Sequence, residues 1–229
     1  MPLYHPRLET IDTDETRRYA GLSGEVDFAP ALLNEACTLA QLLAIPKGVW
    51  QTYVYDQDAH TILSPTPFIL TADSIIKHLS GAYEIAVMAV TIGLSLEQEV
   101  SNLFSKNQYT LGLLLDAAGT TAVEATCDAV SSVIAGQAAR AGLTVGRRFS
   151  PGYSGWPIDV QPEILALATG AAIELSVTDT KMLVPRKSVT AVIGLYPYSQ
   201  ALGLPHQQAL ACDNCGQPAC QARKEPTRQ

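Results

Sequence analysis

The stretch Arg148-Phe-Ser-Pro-Gly-Tyr153, running straight into Ser-Gly-Trp-Pro157, places a guanidinium, approachable backbone and an aromatic ring in one short segment. Pro151 fixes its own φ and biases Ser150 toward extended geometry. Gly152 reaches dihedrals closed to other residues, so the main chain there can come close to a ligand. Arg148 supplies a forked, permanently charged clamp for a carboxylate. The segment reads as a stiff loop suited to a small ligand with a carboxylate and a flat ring, or, more plainly, as a surface turn with a helper arginine.

A second constellation lies just upstream. Asp116, Thr120, Glu124 and Asp128 are four apart and share one face of any helix that carries them. No basic residue falls on that face, so the stripe is either a water-facing edge that tolerates the repulsion or a surface that wants an external cation. Brought against Arg148, a carboxylate here would match a zwitterionic amino-acid group, with Tyr153 placed for a ring.

The third is Cys212-Asp-Asn-Cys215-Gly-Gln-Pro-Ala-Cys220, three thiols that a turn at Gly216 and Pro218 can converge. Such spacing suits a zinc or iron–sulfur site lacking one ligand, which Cys37, Cys127, His206 or a partner subunit could complete. The alternative is three reduced thiols on a loose tail. Cys37 and Cys127 sit in helical patterns and read better as small core residues.

The rest of the chain must hold these groups in place. At 229 residues with 47% hydrophobic content it is a well-cored globular protein. Its 15 basic and 22 acidic residues, a net charge of −7, disfavour nucleic acid as a partner. The most apolar window, Ile85 to Leu94, is too short to span a bilayer, and the odd cysteine count argues against a disulfide framework, so a soluble, cytoplasmic protein is expected.

Helices are expected over Pro30 to Leu43, from an Asp73-Ser74 cap to Leu79, and from the Gly93-Leu-Ser95 turn to Phe104. The longest runs from Tyr109 to Ala141. Its Leu111, Leu115, Ala118, Ala122, Ala125, Ala129 and Val133 form a narrow small-residue face that calls for something flat against it. Through Gly142 and Gly146 this helix leads into the Arg148 segment, and Pro162-Glu163 starts a further short helix ending at Gly170. Strands are expected at Trp50 to Tyr55, Thr61 to Leu63, Ile85 to Ile92, Ile173 to Thr178, Met182 to Val184 and Ser188 to Leu195. Without a βαβ rhythm, this is an α+β fold with a twisted, largely antiparallel sheet flanked by helices, one of them long and central.

Arg148, Gly152, Tyr153 and Pro157 together resemble the Arg-x-x-x-Gly-Tyr motif, followed by a proline, of the reactivation domain of cobalamin-dependent methionine synthase. The similarity extends upstream to Val-Glu-Ala at 123–125 and downstream to Pro185-Arg-Lys-Ser-Val-Thr190, covering roughly Asp73 to Leu195. It implies a domain over 1–200; the Cys-rich tail over 201–229 is not required by the family. It also implies an S-adenosylmethionine site in which Arg148 holds the carboxylate, Glu124 the amino group, and Tyr153 with the Gly152 backbone the adenosine end, with Ser150 in the same set. Ser188 and Thr190 on the later strand are candidates to face the ligand, and Trp156 either closes over it or packs in the core. Ile193 stands where the family has a ligand-stacking tyrosine.

The role implied is reductive remethylation of an oxidised corrinoid. Positioning is then the protein's contribution, with no acid, base or nucleophile of its own. The chain has no room for the homocysteine, folate and cobalamin modules of the complete enzyme. Asp58-Ala-His60 opens like the cobalamin-ligand motif Asp-x-His-x-x-Gly, but Leu63 replaces the glycine and His60 reads as a turn residue. Cobalamin would therefore arrive on another protein, either a methionine synthase lacking its reactivation domain or another corrinoid protein, with a separate electron donor. Two alternatives stand beside this: a non-catalytic sensor or scaffold that keeps the pocket, and an electron-delivering activator built on the cysteine cluster.

Overall fold

The computed structural model describes residues 2–22 and 30–198. Its elements are β1 (Leu3–Tyr4), α1 (Thr13–Tyr19), α2 (Pro30–Leu43), β2 (Lys47–Asp56), β3 (Thr61–Leu63), β4 (Phe68–Ile69), α3 (Asp73–His78), β5 (Glu84–Thr91), α4 (Ser95–Ser105), α5 (Tyr109–Arg140), β6 (Leu143–Phe149), α6 (Gln161–Leu167), β7 (Ser176–Val177), β8 (Leu183–Val184) and β9 (Ser188–Pro197). Among the described residues seven strands form one sheet in the order β4-β3-β2-β5-β9-β6, with β1 beside β2, and every pairing is antiparallel. The α+β architecture expected from the sequence is the one found.

Both faces of this sheet are covered. Ala86, Met88 and Val90 of β5, with Ala191, Ile193 and Leu195 of β9, lie under α2, α4 and α5 in one buried cluster. Ile85, Val87 and Ala89, with Val192 and Tyr196, face Ile75 of α3 and Ile164 and Leu165 of α6 in another. Double burial explains why β5 is a continuous apolar run, which antiparallel strands with one wet face do not show.

The helix α5 is wedged between the sheet and α1, α2 and α4, so it is apolar on more than one side. Of the expected face, Leu115, Ala118 and Ala122 are buried, while Leu111, Ala125, Ala129 and Val133 are only partly so. A second stripe, Val123, Cys127, Val130, Ile134 and Ala138, is equally deep. Small residues let neighbours close in: a Cβ at Gly119 would lie 2.7 Å from Leu96 Cδ2.

Several local expectations are corrected. Residues 143–149, read as a lead into a loop, form the edge strand β6, so Arg148 is a strand residue. A register shift between Val145 and Arg148 breaks the alternation that would have marked it. Ala72, not Asp73 or Ser74, occupies the α3 N-cap, without a side-chain bond. Ile173 closes a 3-10 turn, Gly170–Ile173, bracketed by left-handed Thr169 (φ 59) and Glu174 (φ 63), so only Ser176–Val177 of the expected strand forms. No helix among the described residues is long and apolar enough to cross a membrane.

Candidate functional site

Arg148 pairs with Ile193 across β6 and β9, which turns its side chain toward α5. There Nη1 donates to Asp128 Oδ1 at 2.6 Å and Ser131 Oγ at 3.2 Å, and Nη2 to Glu124 Oε2 at 3.2 Å. Burial works against the guanidinium's charge, but Cys127, Asp128 and Glu124 outweigh it, and the net shift of its pKa is upward. Further along the helix, Lys187 Nζ reaches Asp116 Oδ2 at 3.0 Å and Thr120 Oγ1 at 2.8 Å. The acidic stripe is therefore compensated in large part from within, by Arg148 of β6 and by Lys187 just before β9, with one carboxylate in excess over the two cations.

Glu124 and Arg148 do converge, as expected. They meet each other directly rather than standing apart to hold the two ends of a ligand. Asp128 and Ser131 complete the cluster, and α1 brings residues that no sequence motif had singled out. Thr16 Oγ1 lies 3.1 Å from Thr121 Oγ1 in a buried contact that pins α1 to α5. Arg18 sits 4.1 Å over the Tyr19 ring, and burial and the nearby charge of Glu124 raise the Tyr19 pKa. A signal for α1 was present: Asp12 caps it, accepting from Asp14 N at 2.8 Å and Glu15 N at 3.0 Å.

Beyond Arg148 the chain makes a tight double turn. Gly152 N donates to Trp156 O at 2.8 Å and Trp156 N to Tyr153 O at 2.9 Å, with Gly152 at φ 87 and Gly155 at φ 81. Both glycines hold backbone conformations that side chains disfavour. Ser150 is half-buried, Gly152 exposed, and Tyr153 70% exposed. Trp156 is no lid: it is buried in the cluster on the opposite sheet face. Its ring is 5.9 Å from Phe149, whose ring is 4.7 Å from His78.

The remaining candidates serve structure. Ser188 Oγ donates to Thr91 Oγ1 at 2.8 Å, and Thr190 Oγ1 accepts from Gln161 Nε2 at 2.7 Å, which ties α6 to the sheet. Ile193 is buried under α5. Cys37 and Cys127 are free, buried core residues, and burial, aided by Glu124, pushes the Cys127 thiol far up, away from the thiolate a metal would need. Cys212, Cys215, Cys220 and His206 lie outside the described residues. Among those described, no three His, Cys, Asp or Glu side chains gather as a metal site.

His78 gives the site's surroundings a pH dependence. Burial lowers its pKa below the ordinary 6.5, and although its Nε2 contact to Arg147 O at 3.0 Å opposes this, the Arg147 charge adds to the lowering. As pH falls through about 6.5 the unfolded chain takes up this proton and the folded chain does not. Stability should therefore drop until the lowered folded pKa is reached, and then level off. Urea midpoints from pH 8 to 5 will show this fall in the parent and a flatter profile in His78→Phe.

No family model matches the sequence, and no curated protein matches it. A solved structure does: the crystal structure of the MetH reactivation domain bound to AdoHcy, at a TM-score of 0.59 and 14% identity, covering 86% of this chain and 79% of that one. The fold is shared across nearly the whole described chain.

Proposed function

We propose that this protein binds S-adenosylmethionine and serves as an accessory for the reductive remethylation of a corrinoid carried by a separate protein, such as a methionine synthase without its own reactivation domain. One observation carries the reading: a domain of the same fold is known with AdoHcy bound, and AdoHcy is what S-adenosylmethionine becomes once its methyl group has left. Arg148 and the Glu124 helix, two of the parts whose sequence resembles that family, meet here through an ion pair.

Arg148 holds the ligand carboxylate, Glu124 its ammonium, and Tyr153 with Ser150 and the Gly152 backbone the adenosine end. The existing ion pair is compatible with this. Arg148 pairs with both Glu124 and Asp128, which leaves the cluster one negative charge in excess. An incoming zwitterion exchanges one interaction in the cluster for two, adding its carboxylate to the guanidinium and its ammonium to the acids. Acidic surroundings also favour the positive sulfonium. Chemically, cobalt(II) gains an electron from an external donor to become cobalt(I), whose electron pair takes the methyl group from sulfur as AdoHcy leaves.

The test is a single turnover with methyl-labelled S-adenosylmethionine and cobalamin kept reduced by a low-potential reductant. Label appearing in methylcobalamin supports the proposal. Binding without transfer converts it to the sensor or scaffold reading, and absence of binding overturns both.

A further inference from the structure

The bulge in β6 decides which way Arg148 points. Val145 pairs with Leu195 and Arg148 with Ile193, so two residues, Gly146 and Arg147, stand opposite the single Gly194. Ile193 is buried under α5, whereas Val192, the partner of Phe149, belongs to the cluster on the other face. A one-residue slip exchanges the two faces of a strand. Had β6 continued in step from Val145, Arg147 would stand opposite Ile193 and Arg148 opposite Val192. An arginine would still face α5, but not this one. The two neighbouring arginines do not choose between these registers, so something outside the ladder must.

His78, the last residue of α3, grips the irregularity from the opposite face. Its Nε2 lies 3.0 Å from Arg147 O, a carbonyl inside the bulge, and because a carbonyl only accepts, this nitrogen carries the hydrogen. The His78 ring is 4.7 Å from Phe149, which follows Arg148 in the chain. Phe149 in turn is 5.9 Å from Trp156, whose N–H and C=O close the turn containing Gly152 and Tyr153. The His78 carbonyl accepts from Tyr196 Oη at 3.0 Å, and the Tyr196 ring lies against Gly146 and Gly194, the remaining residues of the bulge. One side chain thus touches both chain neighbours of Arg148, while Arg148 itself reaches away to Glu124 and Asp128.

We infer that His78 is a positioning residue for the ligand site: from α3 it holds the β6 bulge in the register that turns Arg148, rather than Arg147, toward Glu124 and Asp128. The register follows from geometry alone. Its consequence for binding rests on the reading of Arg148 as the carboxylate clamp, so the test has one arm without ligand and one with it.

The first arm follows the guanidinium signals of nitrogen-labelled protein by NMR, assigned through Arg147→Lys and Arg148→Lys. In the parent, Asp128→Asn should shift the Arg148 signals and leave those of Arg147 in place. In His78→Phe, which keeps a ring against Phe149 and removes the donor, that response should weaken and pass in part to Arg147. His78→Gln restores an N–H donor and should restore the response. An Arg148 response unchanged in His78→Phe overturns the inference whether or not any ligand binds.

The second arm titrates S-adenosylmethionine into folded variants. His78→Phe should bind about 3- to 10-fold more weakly than the parent, the effect of one hydrogen bond, and His78→Gln should recover most of the loss. In an Arg148→Ala background His78→Phe should cause no further loss, because it acts through Arg148. Equal weakening in both backgrounds means that His78 serves the fold only and overturns the positioning role. A parent that does not bind S-adenosylmethionine overturns the methyl-donor reading instead, and the first arm still decides the register.

Discussion

Arg148→Ala will bind S-adenosylmethionine about 10- to 150-fold more weakly than the parent. Deleting a charged hydrogen bond from a partly buried site costs about 1.5–3 kcal/mol, and each 1.4 kcal/mol is about tenfold. The structure sharpens the expectation. Arg148 is the cation that bridges Glu124 and Asp128, at 3.2 and 2.6 Å, so its removal deletes the clamp and leaves two acids on adjacent turns facing a place where a carboxylate is to dock.

Stability should suffer much less than binding. Asp128 is 72% exposed, so water screens the residual repulsion and the folding cost should stay within about 1 kcal/mol. Calorimetric titration of folded parent and variant separates the two effects. Arg148→Lys should fall between them, because it keeps the charge and loses the fork, whereas Glu124→Gln should weaken the grip on the ammonium and spare the fold. Equal affinity in parent and Arg148→Ala would remove the site from this corner of the molecule.

That corner was half legible in the sequence. The length of α5, 32 residues, was legible in an unbroken run without proline, though its buried face was only half so because a helix packed on several sides loses a single apolar stripe, and β5 was legible because a strand buried on both faces is an unbroken apolar run. The convergence of Glu124 with Arg148 followed from chain order, since only a short connection separates them.

The partners of the acidic stripe did not follow. Lys187 lies 67 residues beyond Thr120, and which cation a carboxylate meets at such a separation is decided by strand order, which no local pattern encodes. For β6 the obstacle was the irregularity at Gly146 and Arg147: a bulge shifts the side-chain alternation, so Arg148 looked like part of the loop it precedes. Ser188 and Thr190 misled for a related reason. A hydroxyl on a strand points to a ligand or to another element with the same spacing, and here Thr91 and Gln161 take it.

The bulge that hid β6 also identifies the residue on which its position rests. Tyr196 is 3% exposed, and its ring lies across glycines on two adjacent strands: a Cβ at Gly194 would stand 2.8 Å from its Cε2, and one at Gly146 2.9 Å from the same atom. The ring thus fills the side-chain space that both glycines leave empty, which is why glycine is tolerated in the interiors of β6 and β9. Its hydroxyl fastens that part of the sheet to α3 through His78 O.

Tyr196→Ala should therefore cost about 3–5 kcal/mol, the range for emptying an aromatic site in a packed core, and leave the His78 carbonyl without its donor. Tyr196→Phe, which keeps the ring, should cost only the hydrogen bond, about 0.5–1.5 kcal/mol. Urea unfolding at constant m-value measures both. Because β6 carries Arg148, ligand affinity should fall with Tyr196→Ala even under conditions where the variant is fully folded, and hold with Tyr196→Phe. A Tyr196→Ala variant within about 1 kcal/mol of the parent, well below the range for an emptied aromatic site, would mean that the edge strand is held by its ladder with β9 alone, and Arg148 would then owe its place to the acids of α5 rather than to the sheet beneath it.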